Sequence, residues 1–158
     1  MERALQTAEL LRSSLDSAAA VVEPCLHVLL QIADSSITYR RRYPTAVQTD
    51  LVLGLLISDE SNPRSVAFQV ASLSHQIRRL QEKEHESLNS PEQAIVKKVL
   101  NSLRSTPMAN VSRREPDGSF ASLDKLVGSL KTDLWELSDA LTAQYFTNLT
   151  ACRFTASW

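Results

Sequence analysis

Residues that punctuate a fold are scarce here: 158 residues contain 3 glycines and 6 prolines. Against an average glycine usage of about 7%, this argues against many tight turns, a glycine-rich phosphate loop or a β-sandwich. Two cysteines, Cys25 and Cys152, are too few for a disulfide scaffold. Neither has a Cys or His beside it at ligand spacing, so a reducing, cytoplasmic setting is expected. No run approaches 18 consecutive apolar residues, and Met1-Glu2-Arg3-Ala4 begins no basic-then-apolar leader, so neither a membrane span nor a signal peptide is expected. Charge of one sign is also missing. Lys+Arg 17 against Asp+Glu 18 leaves a net charge of −1, without the basic field of a dedicated nucleic-acid or acidic-membrane binder. Aromatics make up 6%, and Trp135 and Trp158 are expected to pack rather than to stack on bases.

What is present is apolar spacing of the helical period, over a length that fits one domain, 1–158. The fold class expected is all-α, a bundle of about six helices. Ala4, Ala8, Leu11 and Leu15 predict a first helix from Glu2 to Asp16. A second enters at Pro24 and carries Leu26, Leu29, Leu30, Ala33 and Ile37 to about Arg42, with Pro44 stopping it. Val47, Leu51, Val52, Leu55 and Leu56 make a short third helix that is apolar on most sides and so deeply packed. After a turn at Ser58 to Asn62, Asn62 caps a fourth helix with Pro63 first and Val66, Val70, Leu73, Ile77 and Leu80 on its stripe. Its end, Gln81 to Glu86, alternates in charge and reads as solvated. Ser90, Pro91 and Gln93 form a capping box for a fifth helix through Ile95, Val99 and Leu103. Ser105 to Ser119 is a polar connection marked by Pro107 and Pro116-Asp117-Gly118. The last and longest helix, Leu123 to Tyr145, should be central to the bundle, and a tail over 148–158 should fray.

The most unusual local feature is Asp34-Ser35-Ser36-Ile37-Thr38-Tyr39-Arg40-Arg41-Arg42-Tyr43. Three consecutive arginines lie about 100° apart on a helix and cannot form one flat patch, so at least one should turn inward. Two roles are open to Arg40, Arg41 and Arg42. They can complement the negative end of the helix dipole, or they can grip a carboxylate or phosphate through the guanidinium fork together with Tyr39 or Tyr43. Asp34, on an otherwise apolar face, should be paired in a buried ion pair. Asp59 and Glu60, ahead of Arg64, read as helix capping or as the edge of an anion site at free N–H groups. His27, His75 and His85 match no metal-ligand pattern, no Gly-x-Ser-x-Gly is present, and neither cysteine has a pKa-lowering context. No metal, cofactor or catalytic set is therefore expected.

Several blocks, in order, resemble the Alpha-E family, a bacterial all-helical domain named for a Glu-Arg motif. They are Glu2-Arg3-Ala4 with Thr7-Ala8-Glu9-Leu10-Leu11, Ala33 to Tyr43, Asn62-Pro63-Arg64-Ser65-Val66-Ala67-Phe68, and Leu137 to Thr142 with Tyr145-Phe146. They correspond to about the C-terminal half of a family member, in which a Gly-Arg pair and further helices precede the Glu-Arg pair. The chain is accordingly expected to begin mid-helix, as part of a larger domain, and to self-associate through the face the missing helices would cover.

The resemblance implies context rather than a reaction. Members are fused to, or encoded beside, circularly permuted ATP-grasp proteins and transglutaminase-like peptidases. The leading expectation is a non-enzymatic accessory or scaffold domain that docks onto an ATP-grasp-type ligase, with Arg40 to Arg42 and Arg64 as a polar cluster. The alternative is a helical pocket for a small anionic or peptide substrate lined by Asp34, Tyr39, Arg42 and Arg64. A nucleic-acid surface built from Arg40, Arg41, Arg42, Arg113 and Arg114 is not expected at this net charge.

Overall fold

A computed structural model describes residues 1–17, 22–84 and 90–146. The frayed tail expected over 148–158, with Cys152 and Trp158, lies outside the described residues, as does His85. Among the described residues there are eight α-helices and no strand, so the all-α expectation holds with a higher helix count. They are α1 Glu2–Ser17, α2 Val22–Ile32, α3 Ser36–Arg42, α4 Thr49–Leu53, α5 Val66–Glu84, α6 Pro91–Ser105, α7 Met108–Val111 and α8 Ala121–Tyr145.

The long helices form the bundle. α5 packs on α1 and α6, and α8 packs on α1, α6 and α7. The stripes read from spacing meet in one core: Ala4, Ala8, Leu11 and Leu15 of α1 join Val66, Val70 and Ile77 of α5, Val99 and Leu103 of α6, and Leu123, Leu130, Leu134 and Leu137 of α8. Burying each such aliphatic side chain contributes about 1.5–3 kcal/mol, and α8, with seven buried residues along its length, is central as expected. Ser90 caps α6, its side chain accepting from the Gln93 backbone N–H. The Gln93 side-chain amide donates to the Ser74 carbonyl at 3.3 Å, tying the start of α6 to α5.

The expected second helix is two helices. α2 ends at Ile32, and the Asp34 N–H donates to the Gln31 carbonyl at 3.0 Å while the Ser35 N–H reaches the Leu30 carbonyl at 2.8 Å. This is a Schellman ending with Asp34 in the left-handed position at φ 48°, where glycine is usual. The reversal rotates the apolar phase, so Ile37, placed by spacing on the buried stripe, is 74% exposed, and Tyr39 turns into the core instead.

The third helix is deeply packed, with Val52, Leu53, Leu55, Leu56 and Ile57 buried. α4 runs into a π-helical turn, Gly54–Ser58, that the spacing did not reveal. α5 starts at Val66 rather than at Pro63. Ser65 caps it, its Oγ accepting from the Phe68 N–H at 3.0 Å, while Asn62 is buried and used elsewhere. At the far end of α5, Gln81 is buried and donates to Ser90 Oγ, so it is not part of a solvated end; Leu80 is exposed. Trp135 is not a packing residue either: it is 58% exposed, with the Lys131 ammonium 5.2 Å from its ring centroid. The polar connection contains α7, and the Arg114 Nε donates to the Gly118 carbonyl at 2.7 Å across a turn in which Gly118 has φ 86°.

Candidate functional site

The loop 59–65, between the π-helical turn and α5, joins three other parts of the fold by arginine pairs. Arg42, the last residue of α3, bonds the Asp59 carboxylate and reaches Ser61 Oγ at 2.9 Å. Asp59 Oδ1 also accepts from the Ser61 N–H at 2.9 Å and its hydroxyl at 2.8 Å. Arg104, at the end of α6, grips Glu60 with two parallel bonds of 2.6 and 2.8 Å. Arg64 Nη2 donates to Asp34 Oδ2 at 2.9 Å. Asp59 and Glu60 are therefore tied to arginines and do not cap α5. The Asp34 pair exists but is not buried: its side chain is 79% exposed and that of Arg64 52%.

The electrostatics follow from these bonds. Burial raises the Asp59 carboxyl, but the Ser61 hydroxyl, the Ser61 N–H and Arg42 together outweigh it, so Asp59 titrates below its ordinary value. The Arg104 hydrogen bonds lower Glu60 in the same way. Such groups bind a proton more weakly folded than unfolded, so their stabilisation is present above the ordinary carboxylate values and lost as pH falls through the folded ones. Asp59→Asn is expected to cost about 1 kcal/mol at neutral pH. The difference from wild type should shrink between about pH 5 and pH 2, as read from urea unfolding at each pH. A gap that stays constant over that range would overturn this assignment.

A cavity of about 320 Å³ lies between α1, the end of α2, the loop and α5. α1 contributes Arg3, Gln6, Thr7 and Leu10; Ile32, Ala33 and Asp34 form the opposite wall, with Arg64 and Gln69 completing it. Arg3, Thr7 and Leu10 stand at i, i+4 and i+7, one stripe beside the buried Ala4, Ala8 and Leu11, and so face the same way. That polar stripe was the available signal for the site. Gln6 donates to Glu2 Oε1 at 3.2 Å and Gln69 to the Pro63 carbonyl at 2.6 Å, while Arg3 makes no hydrogen bond or ion pair among the described residues.

The other candidate residues are distributed. Asp34 and Arg64 share the cavity, but Tyr39 is 1% exposed in the core, and Arg42 faces the loop and a shallow groove beside Ile37, Thr38 and Arg41. None of the three arginines turns inward, because Tyr39 occupies the inward position of that short helix. Arg40 borders a crevice of about 30 Å³ with His27, Gln31 and Ser36. Arg40 and Arg41 have no partner among the described residues. Cys25 donates to the Ser14 carbonyl at 3.4 Å, and burial pushes its thiol up, which disfavours a reactive thiolate. Among the described residues no group of three or more His, Cys, Asp or Glu is placed to hold a metal ion, and no helix is long and apolar enough to cross a membrane.

Residues 1–146 match a family model described as a predicted alpha-helical domain with a conserved ER motif. The chain belongs to the Alpha-E family. Its single Glu-Arg dipeptide is Glu2-Arg3, and Arg3 lines the cavity wall on α1. Uncharacterized proteins of Mycobacterium bovis and of two strains of Mycobacterium tuberculosis are each 28% identical to this Alpha-E chain over 145 residues. That stretch is 90% of this chain and 16% of each relative, so the chain spans about a sixth of the length of the curated relatives it matches. No solved structure matches it significantly.

Proposed function

We propose that this Alpha-E chain is a non-catalytic helical accessory domain, part of a larger helical domain, that works with an ATP-grasp-type carboxylate–amine ligase or a transglutaminase-like protein of the same system. The observation that carries the reading is the division of labour among the arginines. Arg42 and Arg104 are consumed in ion pairs that hold the loop, whereas Arg40 and Arg41 stand exposed, with no partner among the described residues, on the helix that also exposes Ile37. Unpaired guanidinium groups beside an exposed aliphatic side chain suit an acidic protein surface. The match to a sixth of much longer relatives supports a domain that acts beside others.

The test is association of the purified chain with an ATP-grasp-type ligase of the same organism, followed by sedimentation at micromolar concentration. Binding is expected, and the double substitution Arg40→Glu with Arg41→Glu should weaken it about tenfold or more. Both positions are exposed, so the fold should tolerate the change. Failure to associate, or indifference to the double substitution, overturns the reading.

The cavity favours a second reading, a pocket for a small anionic or peptide ligand. Two arginines line it, and among the described residues only Arg64 of the two has a carboxylate partner. That reading keeps Asp34 and Arg64 as binding residues, adds Arg3, and places Tyr39 and Arg42 in structural roles.

A further inference from the structure

We infer that the cavity between α1 and the α2–α3 break is a receptor for a free α-amino acid with an apolar side chain, an inference that rests on the pocket reading above. The wall carries charge of both signs, Arg3 and Arg64 against Asp34. A ligand bearing negative charge alone would meet the Asp34 carboxylate as well as the guanidinium groups. A zwitterion meets both with attraction. Its carboxylate takes the Arg3 fork, which has no partner among the described residues, and the remaining donors of Arg64. Its ammonium takes Asp34 Oδ1, since only Oδ2 is engaged by Arg64.

The backbone fixes where Asp34 stands: it takes φ 48° at the Schellman ending of α2. This residue carries the acid of the cavity. Beside the charges lie Leu10, Ile32 and Ala33. Ile32 is 61% exposed, an apolar surface that the ligand's side chain would cover. A volume of about 320 Å³ is at the lower end of small-molecule sites, roughly 300–1,000 Å³, and fits one amino acid.

The test is calorimetric titration of the whole chain with leucine, N-acetyl-leucine and leucinamide. Leucine is expected to bind, and blocking either end should weaken binding about tenfold, the worth of one charge-assisted pair. Asp34→Asn should weaken leucine by a similar factor while leaving N-acetyl-leucine unchanged; asparagine also accepts the left-handed backbone, so the fold should be kept. Arg3→Gln, at an exposed position, should weaken leucine and N-acetyl-leucine alike. If leucine and N-acetyl-leucine bind equally, the amino-acid inference is overturned and the anion pocket stands. If no probe binds, both fall.

Discussion

Tyr39→Ala is expected to destabilise the chain by about 4 kcal/mol, and Tyr39→Phe by about 1 kcal/mol. The tyrosine is 1% exposed and is the inward residue of α3. Its ring lies against that of Tyr43, centroids 5.1 Å apart and tilted by 53°. Its hydroxyl donates to the Ala46 carbonyl at 3.4 Å and accepts from the Gln48 N–H at 3.2 Å. Truncation to alanine leaves a cavity and also frees the segment that leads into α4, whereas phenylalanine removes only the two hydroxyl bonds. Urea unfolding separates the two variants. A loss below about 1.5 kcal/mol for Tyr39→Ala would mean that α3 is not anchored through this ring. The anchoring bears on function, because α3 is the helix that displays Arg40 and Arg41.

Asn62→Ala is the second large effect expected, about 3 kcal/mol. The side chain is buried and uses both ends. Nδ2 donates to the Leu55 carbonyl at 2.9 Å, inside the π-helical turn, and to Ser35 Oγ at 3.3 Å, at the start of α3; Oδ1 accepts from the Arg64 N–H at 3.1 Å. A π turn displaces the regular ladder, and Asn62 supplies a partner for one of its carbonyls. Alanine would take the side-chain donor from the buried Leu55 carbonyl and the acceptor from the Arg64 N–H, while Ser35 Oγ keeps its bond to the Ala33 carbonyl. In a double-mutant cycle with Ser35→Ala, the two losses should fall short of additive by about 0.5–1 kcal/mol. Full additivity would show that Asn62 acts through the loop alone. Because Asn62 also positions the backbone of Arg64, the variant should weaken any ligand of the cavity.

Where spacing was unbroken and the chain met no competing local bond, the fold was legible. α1 from Ala4, Ala8, Leu11 and Leu15, α8 from its leucines, and the start of α6 at Ser90-Pro91 all follow from helical period and capping chemistry. The break at Asp34 was not legible. Leu26, Leu29, Leu30, Ala33 and Ile37 continue the helical period across it, and the reversal uses an aspartate where composition offers no glycine or proline as a marker. The same holds for Asn62, whose position before Pro63 and Arg64 looks like a cap until the buried Leu55 and Ser35 partners, 7 and 27 residues away, are seen.

For the candidate site the division is similar. The Glu-Arg pair and the arginine block were visible as residues, and family membership follows from the chain's own sequence. Which arginines are free was decided by tertiary structure. Arg42 and Arg104 found carboxylates 17 and 44 residues away in sequence, and Arg3 came to share a cavity wall with Arg64 only through the packing of α1 on α5. Sequence by itself determined the all-helical class and the buried faces of α1 and α8, because the period of apolar residues is a local property of the chain. Which charges pair with one another was settled only in the folded bundle, because the partner of a guanidinium group is chosen by the packing.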